Sequence, residues 1–407
     1  MAVLSPLGPA DLAAPSRAKE LVLVASAPGV RPSPELLAAY ANAAAPNSMR
    51  AFRSDVWAFD DWCLRAGRTT LPAEPQTVKD YLEYRAAQTA AHFAAQSAAP
   101  ASLARYKASI ARLHRLCGLP DPTQDELVKL TLMALRRQKG VAQKQARPLR
   151  FRGAVKDPLT DPPRGINVRA TLAALGDSLT DRRDKALLSL AYDTGLRASE
   201  LVAVQVDDIC EAIDDDARLL RIRRSKGDQE GQGATAYLSP RTVTVLQDWL
   251  SMGAIGSGPI FRRVIVRRYA AQPARPKTDP SSLAWNARWA PERFSAKEAV
   301  VARTEEDVGQ TALHPGSVTP ILRSALSRAF KAGAFPDLDQ NTFGRQLKEV
   351  SAHSTRVGVN QDYFASGEDL AGIMDALRWK SPRMPLFYNR NLAAEQGAAG
   401  RLLGRIS

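Results

Sequence analysis

At 407 residues with 45% apolar side chains, the chain exceeds one ordinary compact domain and can fill two cores. Its 56 Lys and Arg against 42 Asp and Glu give a formal charge of +14, which points to a polyanionic partner. No window approaches the roughly 18 to 20 apolar residues that span a bilayer, so nucleic acid is favoured over a membrane as that partner. Cys63, Cys117 and Cys210 are odd in number and form no C-x-x-C pair, which argues against a disulfide framework or a zinc site and for buried thiols in a reducing cytoplasm. The apolar run Leu21–Ala27 is short and abuts Glu20, so it does not read as a signal peptide.

Residues 1–33 are rich in Ala, Pro and Ser without a period and read as a flexible N-terminal arm. From Pro34 to Gly140 the pattern is helical. Met49, Phe52, Val56, Phe59 and Cys63 recur every three or four residues, and further helices are expected at Gln76–Ala90, Ala101–Cys117 and Gln124–Gln138. Gly67, Pro72, Pro75, Pro100, Gly118, Pro120 and Pro122 separate them, so residues 34–140 form a helical bundle. Residues 141–165 carry Lys144, Arg147, Arg150, Arg152, Lys156 and Arg164 among prolines, and read as a basic linker, either merely solvated or laid along a DNA backbone. Residues 166–407 open with helices at Val168–Leu179 and Asp181–Tyr192, then a small antiparallel sheet from Arg218–Arg223 and Ala234–Leu238, then a helix at Thr242–Leu250. The pattern dissolves at about 262–314, an irregular insertion containing Trp285 and Trp289, before helices resume at Pro320–Ala332.

Three words along the chain carry chemistry. In Asp193-Thr194-Gly195-Leu196-Arg197-Ala198-Ser199-Glu200, a glycine turn presents Arg197 at a helix start, and Glu200 one turn on can orient its guanidinium toward a phosphate. In Arg224-Ser225-Lys226-Gly227, a lysine in the turn between two strands can protonate a departing alkoxide if its pKa is lowered. His353 and Arg356 share a helical face and can hold a phosphate between them; Trp379 offers an indole N–H and Tyr388 a phenolic nucleophile. Taken singly, each is equally served by a surface ion pair, an ordinary turn lysine or an aromatic in a core.

Together, the order Arg, Lys, His-x-x-Arg, Trp, Tyr resembles the tyrosine recombinase (phage integrase) family, with the nearest likeness to its Cre-like members. The resemblance rests on residues 191–201, 353–358 and 379–392, and extends more faintly to Leu71-Pro72-Ala73-Glu74-Pro75 and to Leu113–Pro120. It implies a mainly α fold with a small antiparallel β-sheet: a two-domain C-shaped clamp, with a helical core-DNA-binding (SAM-like) domain at 34–140 and a mixed α+β catalytic domain at 166–407. It further implies a site-specific recombinase in which Tyr388 attacks the scissile phosphate to give a 3′-phosphotyrosyl intermediate. Arg197 and Arg356 would bind the nonbridging oxygens, His353 and Trp379 would complete the cradle, Lys226 would protonate the leaving 5′-oxygen, and Glu200 would support the pocket. Neither metal nor ATP nor another cofactor is implied. The implied partner is double-stranded DNA with inverted-repeat half-sites, bound by a homo-tetramer in the cytoplasm at the nucleoid. Leu392, Gln396, Ala399, Leu403 and Ile406 form a mostly apolar stripe on a terminal helix, which would dock on a neighbouring protomer or on its own domain. The same chemistry would also serve a type IB topoisomerase or a telomere resolvase, and the same fold a DNA-binding protein that no longer cuts.

Overall fold

The computed structural model describes residues 23–87, 97–141, 145–213, 216–223, 233–277, 279 and 295–396. The chain divides into two compact units, Met1–Lys144 and Gln145–Ser407, each with its own core. The architecture is mainly helical with small antiparallel sheets, as the sequence pattern led us to expect.

The first unit contains α1 (Pro34–Ala43), α2 (Pro46–Arg65), α3 (Pro75–Ala87), α4 (Pro100–Leu116) and α5 (Glu126–Lys139). Four of these begin on a proline, whose fixed φ and missing N–H suit the first helical position, so the breakers in the sequence are also starters. Phe59, Val78, Tyr81, Leu82, Leu103 and Ile110 fill the core. His114 is wholly buried, with Nδ1 against the Ile110 carbonyl at 2.9 Å and Nε2 accepting from the Ala73 N–H at 3.0 Å, which makes it the neutral Nδ1–H tautomer.

Two expectations need correcting. Residues 23–33, read as the end of a flexible arm, are pinned: the Val24 and Ala25 N–H groups donate to the Asp60 carboxylate at 2.7 and 3.0 Å, and Leu23 and Val30 pack on the core of α2 and α4. Residues 145–165, read as part of a linker, are a strap packed into the second unit. Leu149 is a core residue there, and Arg150 forms a buried pair with Asp362 at 2.6 Å. A charged run hides such a role because burial of Arg150 depends on a carboxylate 212 residues away.

The second unit contains α6 (Val168–Ala174), α7 (Leu179–Thr194), α8 (Ala198–Ala203), β1 (Ile209–Glu211), β2 (Arg218–Ile222), β3 (Ala234–Leu238), α9 (Pro240–Met252), β4 (Arg262–Tyr269), β5 (Arg303–Ala312), α10 (Val318–Lys331), α11 (Gln340–Glu349), α12 (Ser354–Ala365), α13 (Leu370–Ala376) and α14 (Arg383–Gln396). Strands β1, β2 and β3 form one antiparallel sheet, with Leu220 of β2 facing Ile209 on one side and Ala236 on the other. The core gathers Leu187, Leu188, Leu220, Leu238, Trp249, Phe261 and Leu326, and the Trp249 indole donates to the Ile260 carbonyl at 2.9 Å.

The insertion at 262–314 is not wholly irregular, because its ends pair as an antiparallel ribbon, with Val264 opposite Val308 and Arg267 opposite Glu305. Its strands are mostly exposed and therefore lack the apolar alternation by which a half-buried strand is recognised. Glu306 of the ribbon caps the start of α7, accepting from the Leu179 N–H at 2.7 Å and the Thr180 hydroxyl at 3.1 Å. Trp285 and Trp289 lie outside the described residues, as do residues 397–407, which hold most of the proposed terminal stripe. Among the described residues no helix is long and apolar enough to cross a membrane.

Candidate active site

The turn between α7 and α8 is built from its own letters. Asp193 accepts from the Ser239 N–H and hydroxyl at 2.9 and 2.6 Å and pairs with Arg241, tying the end of α7 to the start of α9. The Thr194 hydroxyl donates to the Leu190 carbonyl at 2.6 Å. Gly195 closes α7 at φ 58°, where a Cβ would lie 2.7 Å from the Leu377 side chain, so the position needs glycine for both conformation and space. Arg197 is then the N-cap of α8. Its backbone N–H donates to Glu200 Oε2 at 2.9 Å and its guanidinium to Oε1 at 2.8 Å. Glu200 thus fixes the backbone and the side chain of Arg197 together.

His353 is the N-cap of α12, and Arg356, in its first turn, is 2% exposed. The Arg356 guanidinium donates to the Gly195 carbonyl and, at 3.3 Å, to the Leu377 carbonyl, and lies 4.8 Å over the Trp379 ring. Gly358, at the end of the same word, lets α12 approach the strap: a Cβ there would sit 2.0 Å from the Leu149 carbonyl oxygen.

Tyr388 lies on α14 and is 5% exposed. Its hydroxyl is 2.5 Å from His353 Nε2, and its ring packs against Trp379 with centroids 5.7 Å apart. The Tyr388 carbonyl accepts from the side-chain amides of Gln361 at 2.9 Å and Gln145 at 3.1 Å, and Asn360 donates to Asn389 at 2.7 Å. Three side-chain amides from α12 and the strap therefore set the helix that carries the phenol.

The electrostatics are set by burial and by two neighbouring guanidiniums. Burial, then the Arg356 and Arg197 charges, pull His353 down to about 4, so its imidazole is neutral at pH 7. Burial pushes the Tyr388 phenol up, and Arg356 and Arg197 pull against it. Burial also lowers Arg356 to about 10, with Arg197 acting in the same direction, and the guanidinium remains charged at neutral pH. Two neighbouring guanidiniums that repel one another, beside a neutral histidine, favour the arrival of a doubly liganded oxyanion. Among the described residues no group of three or more His, Cys, Asp or Glu side chains is placed to hold a metal ion.

The structure thus gathers Arg197, Glu200, His353, Arg356, Trp379 and Tyr388 around one locus. Lys226 belongs to the connection between β2 and β3 and lies outside the described residues. Sequence reasoning missed the Gln145, Asn360 and Gln361 latches and Arg378, the residue before Trp379. Arg378 takes φ 56°, a left-handed conformation that costs a non-glycine residue about 1–2 kcal/mol, and no pattern of residue types signals it.

Residues 166–278 match the model of the phage integrase family. That segment holds Arg197, Glu200 and Lys226, so the match agrees with the resemblance to the tyrosine recombinases that the motif order carries. The chain is similar to recombinase Cre of Escherichia phage P1, at 26% identity over 345 residues that cover 84% of this chain and 83% of that protein. It is also similar to the integrase/recombinase XerD homolog of Selenomonas ruminantium, at 29% identity over 234 residues, or 54% of this chain and 60% of that protein. Among solved structures, the XerH site-specific recombinase bound to a palindromic difH substrate, in a post-cleavage complex, aligns with a TM-score of 0.48 and 11% identity over 88% of this chain and 81% of that one.

Proposed function

We propose that the chain is a site-specific DNA recombinase that cuts and rejoins strands through Tyr388. The Tyr388 oxygen attacks the scissile phosphorus, forming a 3′-phosphotyrosyl bond as the bond to the 5′-oxygen breaks. The phenol proton passes to neutral His353, and Lys226 supplies a proton to the departing 5′-oxygen. Arg197 and Arg356 bind the nonbridging oxygens, where charge grows in the transition state, with Glu200 aiming Arg197 and Trp379 walling the cradle. Because the phosphodiester energy is kept in the covalent link, rejoining is the same reaction run backward, with a 5′-hydroxyl as nucleophile.

The observation that carries this reading is the 2.5 Å contact between the Tyr388 hydroxyl and His353 beside a buried guanidinium. A core tyrosine has no need of a neutral base and two arginines. Residues 34–140 would bind the duplex as a helical domain and residues 166–407 would cut it, in the cytoplasm at the nucleoid. Four protomers would assemble on paired sites with inverted-repeat half-sites, with the terminal helix docking in trans.

The test uses a nicked duplex built on the sequence that the protein itself selects from a random pool. Mixed with protein and denatured, it should yield a covalent adduct with the wild-type chain and none with Tyr388→Phe, while both bind the duplex equally. Equal adduct from Tyr388→Phe would sink the mechanism. Relaxation of supercoiled DNA by the isolated protomer, without exchange between two sites, would replace recombinase by topoisomerase.

A further inference from the structure

Arg378 occupies the C′ position of a Schellman motif at the end of α13, with the Trp379 N–H donating to the Met374 carbonyl at 2.8 Å and the Arg378 N–H to the Asp375 carbonyl at 3.0 Å. Glycine is the usual residue there, because φ is positive, and Arg378 holds φ 56° in spite of its side chain. An unfavourable backbone retained at a site invites the question of what the side chain does in return.

The guanidinium donates to the Thr194 carbonyl at 2.6 Å and to the Ala376 carbonyl at 3.2 Å. Arg356 does the same one residue further along each turn, meeting the carbonyls of Gly195 and Leu377. Two arginines therefore clasp the same two turns in parallel, each touching one carbonyl of each. The first turn leads directly into Arg197, and the second into Trp379.

The geometry points to Arg378 as a positioning residue of the phosphate cradle: it holds the Arg197 turn against the Trp379 turn, so that Arg356 is spared from doing so alone when it engages a phosphate. This rests on the strand-cleavage reading above. Arg356 must give part of its hydrogen-bonding to the substrate's oxygens, and Arg378 keeps the turns in register as it does so. The surrounding field agrees, since burial lowers Arg378, Glu200 opposes that fall and Arg197 adds to it, so all three share one electrostatic neighbourhood.

Arg378→Gly separates this role from a structural one, because glycine suits the backbone that Arg378 strains. The melting temperature should equal or exceed that of the wild type, and affinity for the selected duplex should stay within about threefold. Hydrogen exchange in the peptide spanning residues 191–201 should rise, while the first-order rate of covalent adduct formation falls at least about tenfold. Arg378→Lys, which keeps the charge and a single donor, should recover part of both. Unchanged exchange in that peptide, or adduct formation within threefold of wild type, overturns the proposal. So does a Gly variant whose melting temperature, affinity and cleavage fall together, since the role is then structural. A wild-type protein that forms no adduct defeats the cleavage reading instead, and the exchange experiment then decides on the clasp by itself.

Discussion

Tyr388 and His353 are each of limited use without the other. A phenol raised by burial does not ionise at neutral pH, and an imidazole lowered to about 4 is not an acid there; in the mechanism we propose, the two work together as nucleophile and base. The depressed histidine also leaves a mark on stability. Between its ordinary value of 6.5 and about 4, the unfolded chain binds a proton that the folded chain refuses, so stability from this group is complete above pH 6.5 and is lost as the pH falls. Thermal melts should therefore show a steeper loss between pH 6.5 and 4.5 for wild type than for His353→Gln. Identical slopes would mean that His353 is not held neutral by burial and the two arginines.

At the scale of elements, α12 is the hub, since it starts at His353, carries Arg356 and holds α14 through Asn360 and Gln361. Its other face meets the strap, and two residues decide how closely. Asp362 accepts from Arg150 at 2.6 Å, from the Phe151 N–H at 2.8 Å and from the Tyr192 hydroxyl at 2.5 Å. Arg150→Ala leaves that carboxylate buried without its charge partner, at an expected cost of about 3–5 kcal/mol in urea unfolding. Loss of under about 1 kcal/mol would show that water reaches Asp362. Gly358→Ala drives a methyl into the Leu149 carbonyl, whose backbone cannot swing aside, and should cost about 1–3 kcal/mol. Because α12 also sets His353 and Arg356, this variant should slow cleavage by more than its stability loss explains, as measured by adduct formation at a temperature where it remains folded.

For the whole molecule, the formal charge of +14 points to a polyanionic partner. If the partner is duplex DNA held mainly through phosphates, affinity should fall by about 10³-fold or more between 50 and 200 mM salt, as for a protein making six to ten phosphate contacts. A titration followed by fluorescence anisotropy measures it, and a flat salt response would exclude phosphate contacts as the main source of affinity.

Chemistry-bearing words and helix periods were legible along the chain because both depend on neighbours within a few residues. Met49 to Cys63 marks the buried face of α2, and Thr194 to Glu200 specifies a helix stop, a turn and a capped helix start through local hydrogen bonds. The motif order also pointed to the family. What stayed hidden depends on partners distant in sequence. Arg150 and Arg164 look alike in a basic run, yet only Arg150 meets Asp362 and is buried. The strands at the ends of the insertion find each other across more than thirty residues and expose most of their side chains, so no local period announces them. Arg378 is the clearest case. Its residue type argues against a left-handed helix end, and only the folded arrangement of two turns, brought together from residues 194–195 and 376–377, gives its guanidinium something to hold.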